Sequence, residues 1–245
     1  LIDLDEQLRA LGRSNGTEGV GLLVCHHGRA IEQIPRLAAQ LGVQAVYANH
    51  DHEPAALARD AQVRGALAHE GVLLHTYKDQ VVFERHEILN QSGHAFTVFT
   101  PYKKAWLQSL TPSHTQPHPV ERFADALAPF PPGLATGVPP LEALGFVPSN
   151  LRELKIRTGS RGALALLEDF LARIEHYGQT RDFPALKGPS YLSVHLRFGT
   201  LSIRQAVRLA HELHQQGVAG ASTWLSELIW REFYQQILAH FPHVA

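Results

Sequence analysis

A helical stretch near the end of the chain combines aromatic, acidic and basic side chains. It carries Trp224, Glu227, Trp230, Arg231 and Tyr234. Their spacings of three and four residues align them along one stripe of a helix. Such a stripe suits stacking on a planar ligand, while the carboxylate and the guanidinium make directional hydrogen bonds. An alternative fits the pattern equally well, in which the tryptophans pack in a core beside a surface Glu227–Arg231 ion pair.

A second polar segment joins two predicted helices upstream of that stripe. It runs from Tyr177 through Arg181-Asp182 to Ser190 and Gly199, and it is dense in hydroxyls and exposed amides. Neutral donors of this kind bind phosphate oxygens, so an anionic ligand fits across the segment. On residue chemistry alone, a capped connection between helices with a local Arg181–Asp182 pair is the favoured interpretation.

The elements that must position these residues change type along the chain. Apolar residues at helical spacing open it, at Leu1, Leu4, Leu8 and Leu11. Short apolar runs then predict strands at Gly21–Cys25, Ala45–Tyr47 and Val72–Leu74. Between them lie a helical pattern from Ile31 to Leu41 and another that has Pro54 in its first turn and ends near Gly71. This alternation predicts parallel βαβ units in an open α/β sheet.

The remainder of the chain has a different character. Nine of the 15 prolines fall between Thr111 and Asn150, which predicts a long connection with at most short helices. Three helices are predicted after it. Ser160 caps the first, a Ser202–Gln205 capping box opens the second, and the third runs from Ser222 or Thr223 through Leu238. The sequence therefore predicts an α/β domain over 1–110, a proline-rich linker over 111–150 and an all-α domain over 151–245.

Composition restricts the class of protein further. The net charge of −1 gives no global attraction to a polyanion, so any nucleic-acid site must be a local patch. No apolar run approaches the roughly 20 residues that cross a bilayer. The single Cys25 rules out an internal disulfide framework and suits a reducing compartment, which predicts a cytoplasmic protein. His211 and His214 lack a zinc-site frame, so no metal site is predicted.

Several motifs, taken together, resemble those of the photolyase/cryptochrome family and follow one another in that family's usual order. The resemblance is closest to its class I cyclobutane pyrimidine dimer photolyases. In the second half they are Tyr177, Arg181-Asp182-Phe183-Pro184, Ser190-Tyr191-Leu192-Ser193, Leu196 to Ser202, and Trp224 to Tyr234. In the first half they are Tyr47-Ala48-Asn49, Glu53-Pro54, Arg59-Asp60, and Val98 to Tyr102 with Lys104 and Trp106. The resemblance covers nearly the whole chain outside the linker.

The resemblance implies a Rossmann-like antenna domain, a linker and a helical domain that binds flavin adenine dinucleotide (FAD). The matching FAD-binding positions are Tyr177, Ser190, Leu192, Ser193, Trp224 and Arg231. Where the family commonly has threonine, this chain has Pro189, which offers neither a hydroxyl nor an amide hydrogen. The matching lesion contacts are Arg181, Glu227 and Trp230. By analogy, Trp230 stacks on a flipped pyrimidine dimer, Glu227 hydrogen-bonds or protonates its carbonyl edge, and Arg181 holds the nearby strand.

The implied reaction is light-driven repair of UV-damaged DNA, in which fully reduced FAD gives an electron to a cyclobutane pyrimidine dimer. A cryptochrome photoreceptor, a (6-4) photolyase and an inactive truncated remnant are the alternatives. Ala55 and Ala56 replace the Asn-Glu pair of folate-binding members, so the identity of a second antenna chromophore is left open. The family's first strand and the second half of its flavin domain are expected to lie outside this chain, which is therefore interpreted as a fragment. A monomer without an obligate protein partner is expected.

Overall fold

The computed structural model describes residues 1–21, 27–134, 137–147, 149–150, 153–154 and 156–244. Over these residues the chain is rich in helix and has a small sheet of two parallel strands. Of the strand predicted at Gly21–Cys25, Gly21 is a bend and the other residues lie outside the described ranges. No helix in the described ranges is both long and apolar enough to span a membrane.

The first part of the chain contains one βαβ unit. Its elements are α1 (Ile2–Ser14), α2 (Ala30–Leu41), β1 (Ala45–Asn49), α3 (Pro54–His69) and β2 (Leu73–Tyr77). The two strands run parallel, with Ala45 opposite Leu73 and Asn49 opposite Tyr77. A small core of Ala38, Val63, Leu67 and Val72 packs α2 and α3 together with the start of β2. The predicted helices and the two later strands are thus confirmed, because their apolar residues do face this core.

The proline-rich stretch contains only short helices within its described residues. It follows α4 (Phe99–Ser109) and includes α5 (Pro112–Thr115) and two 3₁₀ helices, Val120–Ala126 and Leu141–Leu144. Helix α5 begins with a capping box, in which the Thr111 side chain and the His114 side chain each bond the other's backbone. A proline follows Thr111 directly, at the position where a missing amide hydrogen costs the helix nothing.

Helices dominate the last part of the chain. They are α6 (Gly159–Leu171), a 3₁₀ turn Ile174–His176, α7 (Tyr177–Thr180), α8 (Ser193–Phe198), α9 (Ile203–Gln215), α10 (Ala221–His240) and a terminal 3₁₀ turn Pro242–Val244. The main hydrophobic core joins α10 to α4, α6 and α9 through side chains such as Trp106, Phe170, Val207 and Ile229. Helix α10 therefore packs against several other helices of the core, and it carries the polar and aromatic stripe.

The caps of these helices differ from the predictions. Helix α6 begins at Gly159, so Ser160 lies in its first turn, where the amides of Ser160 and Arg161 donate to Asp3 of α1. Ser202 does precede α9, but its side chain makes no capping bond, so the predicted Ser202–Gln205 box is wrong. Helix α10 begins at Ala221, one residue before Ser222, and runs two residues past Leu238.

Candidate functional site

A cleft of about 450 Å³ lies between α7, α8, α10 and the loop that follows β1. Five of the six predicted FAD-binding residues line it, namely Tyr177, Ser190, Ser193, Trp224 and Arg231, together with the predicted lesion residue Glu227. The rest of its lining is Asp51, His52, Glu53, Gln80, Leu196, Arg197, Leu228, Gln235 and Leu238. Residues far apart in the sequence thus form one concave surface with aromatic, hydroxyl and charged groups.

Three of the predicted site residues do not line this cleft. Leu192 is 1% exposed and belongs to the main hydrophobic core. Arg181 pairs with Glu227 and its guanidinium lies 5.9 Å from the ring centroid of Tyr177, so it contacts two lining residues without lining the cleft itself. Trp230 lies one turn beyond Glu227 on α10. Leu192 therefore offers a ligand only its backbone, because its side chain is enclosed.

Trp224 and Tyr177 form the aromatic side of the cleft. The Trp224 ring packs edge-on to Phe170 with a centroid distance of 5.0 Å, and Phe170 packs edge-on to Tyr177 at 5.3 Å. Trp224 is 2% exposed, so it serves the core and lines the cleft at once. Burial, and then the nearby Glu227 carboxylate, raise the pKa of the Tyr177 hydroxyl, which keeps it a neutral donor.

Arg181 forms an ion pair with Glu227, which lines the cleft. Arg181 Nη1 lies 2.5 Å from Glu227 Oε1, and Arg181 Nε lies 3.3 Å from Asp182 Oδ1. The predicted local pair with Asp182 is thus present, but the contact with α10 is shorter. The hydrogen bond to Glu227 is the main cause of the raised pKa of Arg181. Two predicted lesion contacts therefore lie together, with their charges balanced before any substrate arrives.

Arg231 is held by backbone carbonyls and makes no pair with Glu227. Its Nη1 donates to the Gln80 carbonyl at 2.6 Å, and its Nη2 donates to the Leu196 carbonyl at 3.4 Å. Burial lowers the pKa of this guanidinium. The alternative of a surface Glu227–Arg231 pair is thus wrong, because each residue has a different partner. Arg231 brings a half-buried positive charge to the cleft wall.

Trp230 stacks on another ring of the protein. Its ring centroid lies 3.6 Å from that of Phe99, at an interplanar angle of 10°, and 5.4 Å from that of Tyr234 at 24°. Phe99 is the first residue of α4, and Tyr234 is 63% exposed. The surface near Trp230 is therefore a small aromatic platform that reaches solvent.

The sequence interpretation missed one buried acid, Glu232. It is 1% exposed, and it accepts hydrogen bonds from the amides of Val82 and Phe83 and from the side chains of Tyr102 and Trp106. A signal was present, since Leu225, Leu228, Ile229 and Glu232 follow one another at helical spacing on the apolar side of α10. An acid on such a face requires buried partners.

A second cleft of about 650 Å³ lies at the carboxyl end of the two strands. It includes Asn49, the last residue of β1, Asp79, which lies two residues after β2, and three arginines, Arg197, Arg204 and Arg208. Arg204 pairs with Asp79 at 2.9 Å. No group of three or more histidine, cysteine, aspartate or glutamate side chains in the described part of the chain is placed to hold a metal ion.

Comparison with known proteins places the chain in a family. Residues 1–122 match the DNA photolyase family. The chain is 39% identical over 220 residues to a deoxyribodipyrimidine photo-lyase of Synechococcus sp. PCC 6301, covering 86% of the chain but 45% of that protein. It is 31% identical to an uncharacterized protein of Synechococcus sp. PCC 6716, over 92% of the chain and 79% of that protein.

The fold of the chain also matches that of a solved photolyase structure. A class III photolyase from Agrobacterium tumefaciens superposes with a TM-score of 0.80 and 26% identity, over 100% of this chain and 49% of that one. The chain therefore belongs to the DNA photolyase family. It spans about half the length of the curated photo-lyases that it matches, for example 45% of the one from Synechococcus sp. PCC 6301.

Proposed function

We propose that this chain forms part of a light-driven DNA repair enzyme that splits cyclobutane pyrimidine dimers with FAD. The observation that carries the proposal is the convergence of Tyr177, Ser190, Ser193, Trp224 and Arg231 on one cleft. Family membership supports the same reaction, because its curated relatives include deoxyribodipyrimidine photo-lyases.

The cleft residues have the chemistry that FAD requires. Ser190 and Ser193 offer hydroxyl donors and Arg231 offers a positive charge, which together suit a diphosphate. Tyr177 and Trp224 offer aromatic surface for a planar ring system. Bound here in its fully reduced form, FAD would, once excited by light, supply the electron that opens the dimer and would afterwards recover it. The protein's own part is to hold both partners close together and to exclude water.

We assign lesion binding to Arg181, Glu227 and Trp230. Glu227 and Trp230 are one turn apart on α10, so a flipped base that stacks on Trp230 brings its carbonyl edge toward Glu227. Arg181 is held beside Glu227, and we assign its positive charge to the backbone of the damaged strand. A base that stacks on the ring face next to Phe99 must displace Phe99, because those two rings are in contact.

We assign the α/β part, residues 1–110, to an antenna domain, residues 111–150 to a linker and residues 151–245 to part of the FAD domain. A second chromophore fits the cleft at the end of the strands, where Arg197, Arg204 and Arg208 favour an anionic ligand. We expect a cytoplasmic monomer that acts on UV-damaged DNA.

The direct test of this function is repair of a defined lesion by the whole protein. A UV-irradiated oligonucleotide containing one thymine dimer is incubated with reduced FAD-loaded protein under blue light, and loss of the dimer is followed by chromatography. Repair that requires light, and that Glu227→Gln slows, supports the proposal. Binding of flavin with no repair of either a dimer or a (6-4) lesion would instead indicate a photoreceptor.

A further inference from the structure

Arg173 holds three consecutive backbone carbonyls of one turn. It lies just after α6, and its Nη1 donates to the carbonyls of Lys187 at 2.5 Å and Gly188 at 2.7 Å. Its Nη2 donates to the carbonyl of Pro189 at 2.7 Å. The side chain is 21% exposed, and its Nε lies 3.3 Å from Asp169. This turn leads directly into the serine loop, which we define as residues 190–193.

The other side of the same turn is packed against backbone. A Cβ placed on Gly188 would lie 2.3 Å from the carbonyl oxygen of Thr180 and 2.9 Å from the amide nitrogen of Arg181. No side chain fits there, so the turn is enclosed between the Arg173 guanidinium and the segment that carries Arg181. Displacement of the turn in either direction therefore breaks a contact.

The serine loop itself has an unfavourable backbone conformation. Tyr191 has a φ of +58°, a region that residues other than glycine seldom adopt, and its ring lies 6.0 Å from the Arg173 guanidinium. Such a conformation persists only when the surroundings enforce it. Ser190 and Ser193, the two ends of the serine loop, both line the cleft.

We propose that Arg173 is a positioning residue that sets the serine loop for FAD binding, an inference that rests on the proposed function. Pro189, the last residue of the turn, favours such an arrangement, because proline has no amide hydrogen through which the turn could be anchored. In this chain the backbone carbonyls of the turn, which Arg173 binds, hold the serine loop in place instead. Arginine is suited to this task because its planar guanidinium directs several fixed donors, whereas the lysine ammonium is a point charge.

The test compares two single variants of the chain with the wild type. Arg173→Lys keeps the positive charge beside Asp169 but loses the fork that spans three carbonyls. Asp169→Asn is the matched control, because it weakens the ion pairs of Asp169 with Arg173 and, at 2.6 Å, with the exposed Lys187 of the turn, but leaves the carbonyl bonds in place. We expect Arg173→Lys to raise the Kd for FAD about tenfold, the usual effect of losing charged hydrogen bonds, and Asp169→Asn to change it less than about twofold.

A second measurement follows the loop without any flavin. Amide hydrogen exchange of residues 188–193 is expected to accelerate in Arg173→Lys and not in Asp169→Asn, while exchange in α9 and α10 is unchanged. Equal FAD affinity in wild type and Arg173→Lys would overturn the inference. If the wild type binds no FAD, the assigned function of the cleft fails, and unchanged exchange at 188–193 would then overturn the positioning role separately.

Discussion

The indole Nε1 of Trp106 donates to Glu232 Oε1 at 2.5 Å, which links α4 to α10 inside the core. The same carboxylate accepts from the amides of Val82 and Phe83, so the segment after β2 is attached to α10 as well. Arg231, the residue immediately before Glu232 on α10, binds the Gln80 carbonyl at the start of that segment. The buried acid therefore fixes one wall of the cleft through its neighbour.

Glu232 is expected to make stability depend on pH. Burial raises its pKa from 4.5 to about 7, against the opposing effect of the hydrogen bonds that it accepts. The folded state then keeps a proton that the unfolded state releases, so this contribution to stability declines as the pH rises from 4.5 to about 7. Glu232→Gln should remove that decline, because the amide does not titrate.

The measurement is denaturant unfolding of both proteins at several pH values. Glu232→Gln points an amide NH₂ group at groups that are themselves hydrogen-bond donors. This lowers the free energy of unfolding by about 1–3 kcal/mol at pH 5. This cost should be smaller at pH 8. Glu212→Gln, at an exposed position of α9, is the control and should show no such change. A cost that grows with pH would mean that the four hydrogen bonds outweigh burial and keep Glu232 ionised.

Trp230→Ala should weaken binding of dimer-containing DNA by about 1–3 kcal/mol, the usual value of stacking a base on an aromatic ring. FAD should stay bound, since Trp230 does not line the cleft. Phe99→Ala is the matched variant, because it removes the ring that Trp230 contacts at 3.6 Å and leaves Trp230 in place. Fluorescence anisotropy with damaged and undamaged oligonucleotides gives both affinities.

The two variants separate the roles of the rings. Lesion affinity that is kept or increased in Phe99→Ala, together with a loss in Trp230→Ala, supports stacking on Trp230. Loss of FAD with unchanged lesion affinity in Trp230→Ala would show that Trp230 serves the cofactor instead.

Glu227→Gln should lower lesion affinity about tenfold, equivalent to about 1.4 kcal/mol. The substitution keeps the shape of the side chain but removes the charge that pairs with Arg181 at 2.5 Å. Asp182→Asn is the control, since Asp182 contacts Arg181 at the longer distance of 3.3 Å and its side chain is 74% exposed. Equal losses in both variants would assign the effect to Arg181 rather than to Glu227.

Asp3→Asn should destabilise the fold by about 1 kcal/mol, the usual effect of weakening a helix cap. Desolvation opposes ionisation of Asp3, but the amides of Arg161 and Ser160 and the Arg161 guanidinium outweigh it and lower its pKa. The stabilisation is therefore present at neutral pH and declines as the pH falls through the lowered pKa. Thermal unfolding at pH 7 and pH 3 measures both effects, and an equal cost at the two values would contradict this cap.

Local sequence patterns are enough to predict some of the helices and strands. Other features depend on contacts between residues that are far apart in the chain. Pro54 and the apolar spacing of α3 predict that helix, because both act within a few residues. The cap of α6 could not be predicted in this way, since Asp3 lies 157 residues before Ser160. The predicted stripe on α10 contains three residues of the cleft, Trp224, Glu227 and Arg231, but it could not predict that Arg231 donates to the Gln80 carbonyl, 151 residues away.

Titration of this chain with FAD measures most directly whether the cleft is a flavin site. The purified chain is titrated while flavin fluorescence is followed, then desalted and examined by absorbance, with circular dichroism to show that it is folded. We predict saturable binding of one FAD per chain, weakened by Arg231→Ala, which removes the positive charge from the cleft wall. A folded chain that neither quenches flavin fluorescence nor retains FAD would contradict the assignment of this cleft.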